Sequence, residues 1–436
     1  MTPLARIARL SAAFLGSNLA RAAIGFALSF ALARGLGAER FGRWILCTAW
    51  ASTLTVIVDL GFGVLLTRDG ARPDAEPGRL LTGAVALRLA VAIPLAGMLY
   101  AGAPYLSADG ETIAGLRAAA LLGIAGAVYG CFGALFRSQP RWLPTVLAVE
   151  TGFLAVQLAA AAVIVRIADA PALARWPGHE GTVGLLITLA IAVQVAQIAT
   201  AAIAWRRVFG SRGDVQVPRR GALVTLLRRA LPFAATGLVA NAQTRIAPLM
   251  LGYWSTASEL GLFSAAARFG SVARMAPQAL FAGALPVLSH EHDRDPAAAR
   301  RAFHTFDRML IAGSTLAAIA CALGAAPVLR LVYGPSFTGA APALLWITIG
   351  LIPLLSNSGR KVFLFASGRE AEVVRWSAVA LAIQLVLGAI LIPVFGSVGA
   401  AIGIAAGEAI VWWPLRRTKP SADAAAAEAP RLASAI

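Results

Sequence analysis

GLLITLAIAVQVAQIATAAIAWRRVFGSRGDVQVPRR, residues Gly184 to Arg220, decides the fold class. Gly184 to Trp205 carry no charge, and as a helix rising 1.5 Å per residue this stretch reaches about 33 Å, enough to cross a bilayer core. Five arginines follow at once: Arg206, Arg207, Arg212, Arg219 and Arg220. An apolar rod that ends in clustered arginine reads as a membrane span meeting a cytoplasmic loop, because positively charged loops are retained on that side. The break also lies close to the midpoint of the 436 residues.

Outward from this stretch, apolar windows of spanning length recur about twelve times. Those before it run Ser11 to Ala33, Trp44 to Leu66, Leu80 to Pro104, Ile113 to Phe136 and Leu143 to Val165. Those after it run Leu231 to Trp254, Glu259 to Leu288, Met309 to Val332, Ala340 to Leu364, Val373 to Phe395 and Val398 to Leu415. The expected fold is therefore an all-α polytopic membrane protein. Its expected parts are an N-terminal unit over 1–210, a C-terminal unit over 211–416 and a disordered cytoplasmic tail over 417–436. Residues Leu223 to Ala230 read as a short amphipathic entry helix on the membrane surface. Arginine alternates between rich and poor breaks along the chain, which predicts both termini in the cytoplasm. Glu39 and Phe41-Gly42 can be laid over Glu259 and Leu260-Gly261, a weak internal repeat whose glycines open the second span of each half.

Composition excludes other classes. The chain is 58% hydrophobic and 14% charged, against about 45–50% and 25% for soluble domains, so a soluble multidomain enzyme and a disordered chain are both ruled out. The formal net charge of +17 would suit nucleic acid only if the basic residues shared one soluble surface or arm. Instead they are scattered through span ends and apolar segments. Cys47, Cys131 and Cys321 stand singly, without redox or metal spacing. His290, His292 and His304, near Glu291 and Asp293, lack an accepted ligand spacing, so no metal site is expected. No phosphate-cradling glycine loop is present, no cofactor is expected, and the loops are too short for the catalytic domain of a membrane glycosyltransferase or ligase.

Charges inside spans carry the functional information, because an arginine at the bilayer centre costs about 2.5–3.5 kcal/mol. Asn18 and Arg21 are one helical turn apart, as are Asn241 and Arg245, and Arg268 and Arg274 share a face. Arg88, Arg117, Arg360 and Lys361 stand near enough to span ends to read as side chains that reach the headgroups. Arg21, Arg245 and Arg268 do not, and a cavity with surplus guanidinium groups suits a phosphate-bearing cargo. Asp59, Glu150 and Glu408 are candidates for proton or cation coupling, with structural ion pairing as the competing reading.

Several stretches resemble the polysaccharide flippases of the multidrug, oligosaccharidyl-lipid and polysaccharide exporter superfamily, of the O-antigen type. They are Leu32-Ala33-Arg34-Gly35-Leu36-Gly37-Ala38-Glu39-Arg40-Phe41-Gly42 with Asp59-Leu60-Gly61, then Leu231-Pro232, Leu260 to Arg268, Leu285-Pro286, Tyr333 to Phe337 and Gly396 to Ala401. The resemblance implies two six-helix bundles around a central cavity, walled by the first, second, seventh and eighth helices. Arg21, Arg43, Arg245, Arg268 and Arg274 would then line it, with Asn18 and Asn241 as polar neighbours. It also implies an undecaprenyl-diphosphate-linked oligosaccharide as cargo, flipped to the outer leaflet of a bacterial inner membrane by alternating access. An ion gradient or the membrane potential would drive the step, with membrane lipids around the protein and a polysaccharide polymerase as a candidate partner. A cation-coupled drug exporter of the same superfamily is the alternative. Lipid II flippases of the same superfamily usually have two additional C-terminal helices, which the twelve expected spans do not include.

Overall fold

Eight helices among the described residues are long and apolar enough to cross a membrane. The computed structural model describes residues 3–72, 74–139, 141–167, 181–214, 220–271, 296–366 and 369–417. In chain order the helices are α1 (Pro3–Asp59), α2 (Phe62–Gly70), α3 (Pro77–Leu106), α4 (Gly110–Arg137), α5 (Leu143–Ile167) and α6 (Gly181–Phe209). They continue as α7 (Arg220–Trp254), α8 (257–271), α9 (Pro296–Tyr333), α10 (Ala341–Ala366) and α11 (Glu370–Arg417).

As a single rod, α1 would extend about 85 Å, nearly three bilayer cores. It is broken at Gly37, whose φ of 72° and ψ of 175° are non-helical and which glycine adopts without a Cβ penalty. Contacts show that the chain reverses there. Before the break, Arg21 pairs with Glu150 and Gly35 lies against Val165, so this segment runs parallel to α5. Beyond it, Cys47 lies against Gly115 and Thr55 against Gly126, so the second segment runs parallel to α4. Helices α4 and α5 are themselves antiparallel, since Arg137 also reaches Glu150. The two segments of α1 are therefore an antiparallel hairpin.

Gly396 makes the same turn in α11, with φ 52°. Gly399 there packs on Leu391, Gly403 on Gly388, and Gly407 on Ala380. Glycines spaced four apart form one smooth stripe, which lets two helix backbones approach closely without help from a hydrophobic effect inside lipid. These turns, with the 107–109 connection and the start of α6, lie at one end of the molecule, here the arginine-poor end. The 71–76, 138–142 and 210–213 connections lie at the arginine-rich end.

Three boundaries differ from the sequence reading. The second span stops at Asp59 instead of running to Leu66: Leu60 (φ 48°) and Gly61 (φ 80°) both adopt left-handed backbone, and α2 leaves in a new direction. Hydropathy is blind to such a break. Residues 223–230 are the beginning of α7 rather than a separate surface helix, and Leu226 and Ala230 join an apolar cluster with Phe62, Leu65 and Leu81. Helix α9 starts at Pro296, well before Met309. The tail beyond residue 417 and the latter part of the eighth span lie outside the described residues.

Candidate functional site

The first half of the chain, α1 to α6, meets the second, α7 to α11, most closely at the arginine-poor end. A Cβ on Gly42 would stand 1.7 Å from the carbonyl oxygen of Ala257, and one on Gly261 would stand 2.0 Å from that of Ala38. Each alanine precedes its own half's glycine by four residues, so the contact is reciprocal, as a two-fold relation between halves requires. One turn deeper, Leu46 fills the space over Gly252. Rings close the rest: Phe26 meets Phe269 at 6.0 Å, Phe30 meets Tyr333 at 6.3 Å, and Phe41 meets Phe337 at 6.0 Å. Together these seal one mouth between the halves.

Below the seal, the second segment of α1 and α7 run side by side. The guanidinium of Arg245 donates from Nη1 to the hydroxyl of Ser52 across the two halves, while that hydroxyl itself donates to the carbonyl of Ala49 at 2.9 Å. Ser52, Thr55 and Asp59 follow one face of α1, and Arg245, Asn241 and Leu238 one face of α7. Farther down, Thr55, Val56, Asp59, Leu60 and Gly61 enclose, with Ala234, Leu238 and Asn241, a cavity of about 180 Å³. Arg268 stands on α8, next to Phe269 of the aromatic seal. Among the described residues, no carboxylate acts on Arg245 or Arg268. That separates them from Arg21, Arg88 and Arg360.

Those three are paired with carboxylates. Arg21 pairs with Glu150 at 2.7 Å, Glu150 also accepts from Arg137 at 3.2 Å and Tyr129 at 3.0 Å, and the carboxylate is only 7% exposed. Arg88 is not a side chain reaching for headgroups: it is 2% exposed, held by Asp59 and by the carbonyl of Ala127 at 3.0 Å. Arg360 likewise turns inward, to Asp307 at 3.1 Å, and Ser356 donates to the same carboxylate at 2.6 Å. Arg117 lies over the Tyr100 ring at 5.1 Å, near the arginine-poor end where an aromatic belt is expected.

Arg43 does not join the Arg245 face. It is enclosed by Glu39 at 2.7 Å, Glu111 at 2.8 Å and Asp109 at 3.5 Å, and Glu111 also accepts from the backbone N–H of Val183 at 3.0 Å. The cluster ties α1, α4 and α6 together at the arginine-poor end. Burial raises the Asp109 carboxyl, but hydrogen bonds from the side chain and backbone of Thr112 and the charge of Arg43 outweigh it and hold the group below its ordinary value. A depressed carboxyl stabilises the fold fully above its unfolded value of about 4 and loses that contribution as pH falls through its folded value. Asp109→Ala, which also removes the α4 N-cap, should therefore lower the melting temperature at pH 7 and have less effect near pH 3; an equal shift at both would contradict the assignment.

Asn18 lies on the first segment of α1, one turn before Arg21, and Arg274, His290 and His292 lie outside the described residues. Glu408 accepts from the Asn357 carboxamide at 2.8 Å. Of the three carboxylates singled out from sequence, it alone has no arginine partner among the described residues. Residue-by-residue reading missed Ser52, Tyr129, Asp307 and Asn357. A serine or asparagine in an apolar window has no net charge to mark it, and Asp307 falls just outside the window that began at Met309.

The signature of a family described as "Polysaccharide biosynthesis protein" matches residues 8–292. No curated protein matches the chain. Among solved structures it is similar to an inward-facing multidrug resistance MATE family transporter of the MOP superfamily, with TM-score 0.70 and 14% identity over 92% of this chain and 96% of that one. The lipid II flippase MurJ, in an inward closed conformation, gives TM-score 0.69 and 11% identity over 92% and 85%. An outward-facing MATE family transporter gives TM-score 0.54 and 14% identity over 94% and 93%. At these identities the likeness concerns the fold.

Proposed function

The chain belongs to the polysaccharide biosynthesis protein family, and from that premise we propose that it flips a lipid-linked oligosaccharide from the cytoplasmic to the outer leaflet of a bacterial inner membrane. It is a multi-pass membrane protein with the fold of MOP superfamily transporters. On this reading twelve helices form two six-helix bundles, residues 1–210 and 211–416, with both termini and the arginine-rich end cytoplasmic. The sealed mouth then faces outward.

One observation carries the cargo's chemistry. Arg245 and Arg268, deep between the halves, have no carboxylate acting on them among the described residues, although a charge removed from water is costly until an opposite charge meets it. A diphosphate supplies that charge and matches the planar fork of guanidinium donors. Arg21, with Glu150 partly neutralising it, is a weaker third contact. Glu408, without an arginine partner among the described residues, is the best placed of the carboxylates to take a coupling proton or cation. Undecaprenyl diphosphate is the lipid carrier this reading calls for, and a polysaccharide polymerase its downstream partner.

Complementation tests the reading. In cells lacking the gene, Arg245→Gln and Arg268→Gln should each lower surface polysaccharide about ten-fold or more, the worth of one charge-assisted hydrogen bond. Arg21→Gln should lower it less. Unchanged polysaccharide in all three variants would refute the anion assignment. Efflux of a cationic drug is disfavoured by a cavity whose uncompensated charges are positive; drug-dependent proton or sodium flux in proteoliposomes would reverse that judgement.

A further inference from the structure

We propose that the cavity at the break between α1 and α2 is a subsite for the sugar hydroxyls next to the diphosphate, with Asp59 as acceptor and Asn241 as donor and acceptor. The inference rests on the lipid-linked oligosaccharide reading above and adds where the glycan is recognised.

The cavity's walls restrict what it can hold. Among the described residues lining it, Asp59 is the one charged group; the others are Thr55, Val56, Leu60, Gly61, Ala234, Leu238 and Asn241. The guanidinium that pairs with Asp59 lies behind it, so an anion would meet the carboxylate's oxygens and, among the described lining residues, no basic side chain. A cation fares no better, because Asp59 is already paired with Arg88, which is 2% exposed and has no other carboxylate partner among the described residues. The pair is neutral, so a metal ion would face a buried guanidinium a few ångströms behind its ligand. A neutral ligand rich in hydroxyls suits both facts. Asp59 is 39% exposed and keeps acceptor capacity toward the cavity, since a carboxylate offers about four acceptor positions, of which Arg88 and the Gly63 backbone N–H, at 3.2 and 3.3 Å from its two oxygens, use part.

Backbone geometry keeps the carboxylate in place. The left-handed conformations of Leu60 and Gly61 end the α1 segment directly after Asp59, and strain of this kind in a non-glycine residue collects at functional sites. Thr55, whose hydroxyl donates to the carbonyl of Ala51 at 3.0 Å and lies toward Gly123 and Gly126 of α4, contributes its side chain to the same wall. Apolar Val56, Leu238 and Ala234 supply surface for the C–H faces of a pyranose ring.

The position relative to the anion site fits one continuous cargo. Asn241 is four residues from Arg245, about 6 Å along α7, and Asp59 is seven residues from Ser52, about 10 Å along α1. A diphosphate at Arg245 would place its first sugars at this depth. The volume of about 180 Å³ is several times the roughly 30 Å³ that one water occupies in the liquid, the scale of a single sugar unit.

The test uses the detergent-purified full chain and two probes: undecaprenyl diphosphate without sugar, and the lipid-linked oligosaccharide fraction extracted from the source cells. The wild type should bind the glycosylated fraction about ten-fold more tightly than the bare lipid, the worth of one or two hydrogen bonds. Asn241→Ala should bring that ratio close to one, because it weakens the glycosylated fraction far more than the bare lipid. Ala234→Met, which fills the cavity without touching a polar group, should do the same and guards against a folding defect in the first variant. If both variants keep the wild-type ratio, the subsite is refuted and the diphosphate reading stands. If the wild type binds neither probe, the diphosphate reading itself fails and the subsite with it. A sodium-dependent rise in melting temperature, lost in the Asp59→Asn, Arg88→Met double variant, would make the cavity a cation site and overturn the proposal.

Discussion

Gly42→Ala should prevent the arginine-poor mouth from closing and reduce surface polysaccharide about ten-fold or more. Helix propensity alone predicts the opposite sign, since alanine is favoured over glycine by about 1 kcal/mol in a helix interior. Here the added carbon would stand 1.7 Å from the carbonyl oxygen of Ala257, which is backbone and cannot rotate away. The two halves would have to separate by more than an ångström, which breaks the reciprocal contact at Gly261 as well and lifts Leu46 off Gly252. Overpacking of this kind costs about 1–3 kcal/mol, enough to change the closed-to-open ratio about 5- to 150-fold. Leu46→Cys reports it: a membrane-impermeant maleimide added to intact cells should label that cysteine slowly in the parent and rapidly beside Gly42→Ala or Gly261→Ala. Gly97→Ala is the control, because nothing lies within 4 Å of a Cβ there. Slow labelling and normal polysaccharide in both gate variants would show that the contact is not what seals the mouth.

This contact also marks how far sequence reading reaches. The overlay of Gly42 on Gly261 was visible as a weak repeat, yet the alanines four residues earlier gave no reason to be noticed. They acquire meaning only when each carbonyl is found over the opposite glycine. Spans were legible because crossing a bilayer imposes length and apolarity on the chain itself. The same physics made in-span arginines conspicuous, and Arg245 and Arg268 remain so in the structure. Pairing was not legible. Glu150 and Arg21 are far apart in sequence, as are Arg88 and Asp59, and proximity to a span end suggested that Arg88 reached outward when it reaches inward. Breaks at Leu60 and Gly61 were equally hidden, because hydropathy carries no information about φ.

Breaking the Asp59–Arg88 pair from one side should be the most damaging single change to stability. Arg88 is the largest side chain that is fully buried in the described residues. Apart from Asp59, its guanidinium has the Ala127 carbonyl at 3.0 Å and the Phe62 ring at 5.8 Å, and its Nε has no hydrogen-bond partner. Asp59→Ala therefore leaves a positive charge in the bundle with only neutral groups, the Ala127 carbonyl and the Cys131 sulfur, to meet it, and removing one partner of a buried pair costs about 3–5 kcal/mol. It also removes the acceptor for the Gly63 N–H at the start of α2, loosening the break that shapes the cavity. Arg88→Met alone should cost less, because the Asp59 carboxylate is partly open to the cavity and can be hydrated. The double variant Asp59→Asn, Arg88→Met removes both charges together, and replacing a buried pair by neutral groups of similar size is often tolerated. Melting curves in detergent should thus rank Asp59→Ala lowest, Arg88→Met above it and the double variant closest to the parent. If the double variant melts as low as Asp59→Ala, the loss does not come from an uncompensated charge, and the pair's role is to pack α3 against α1 and α4 through the arginine's bulk.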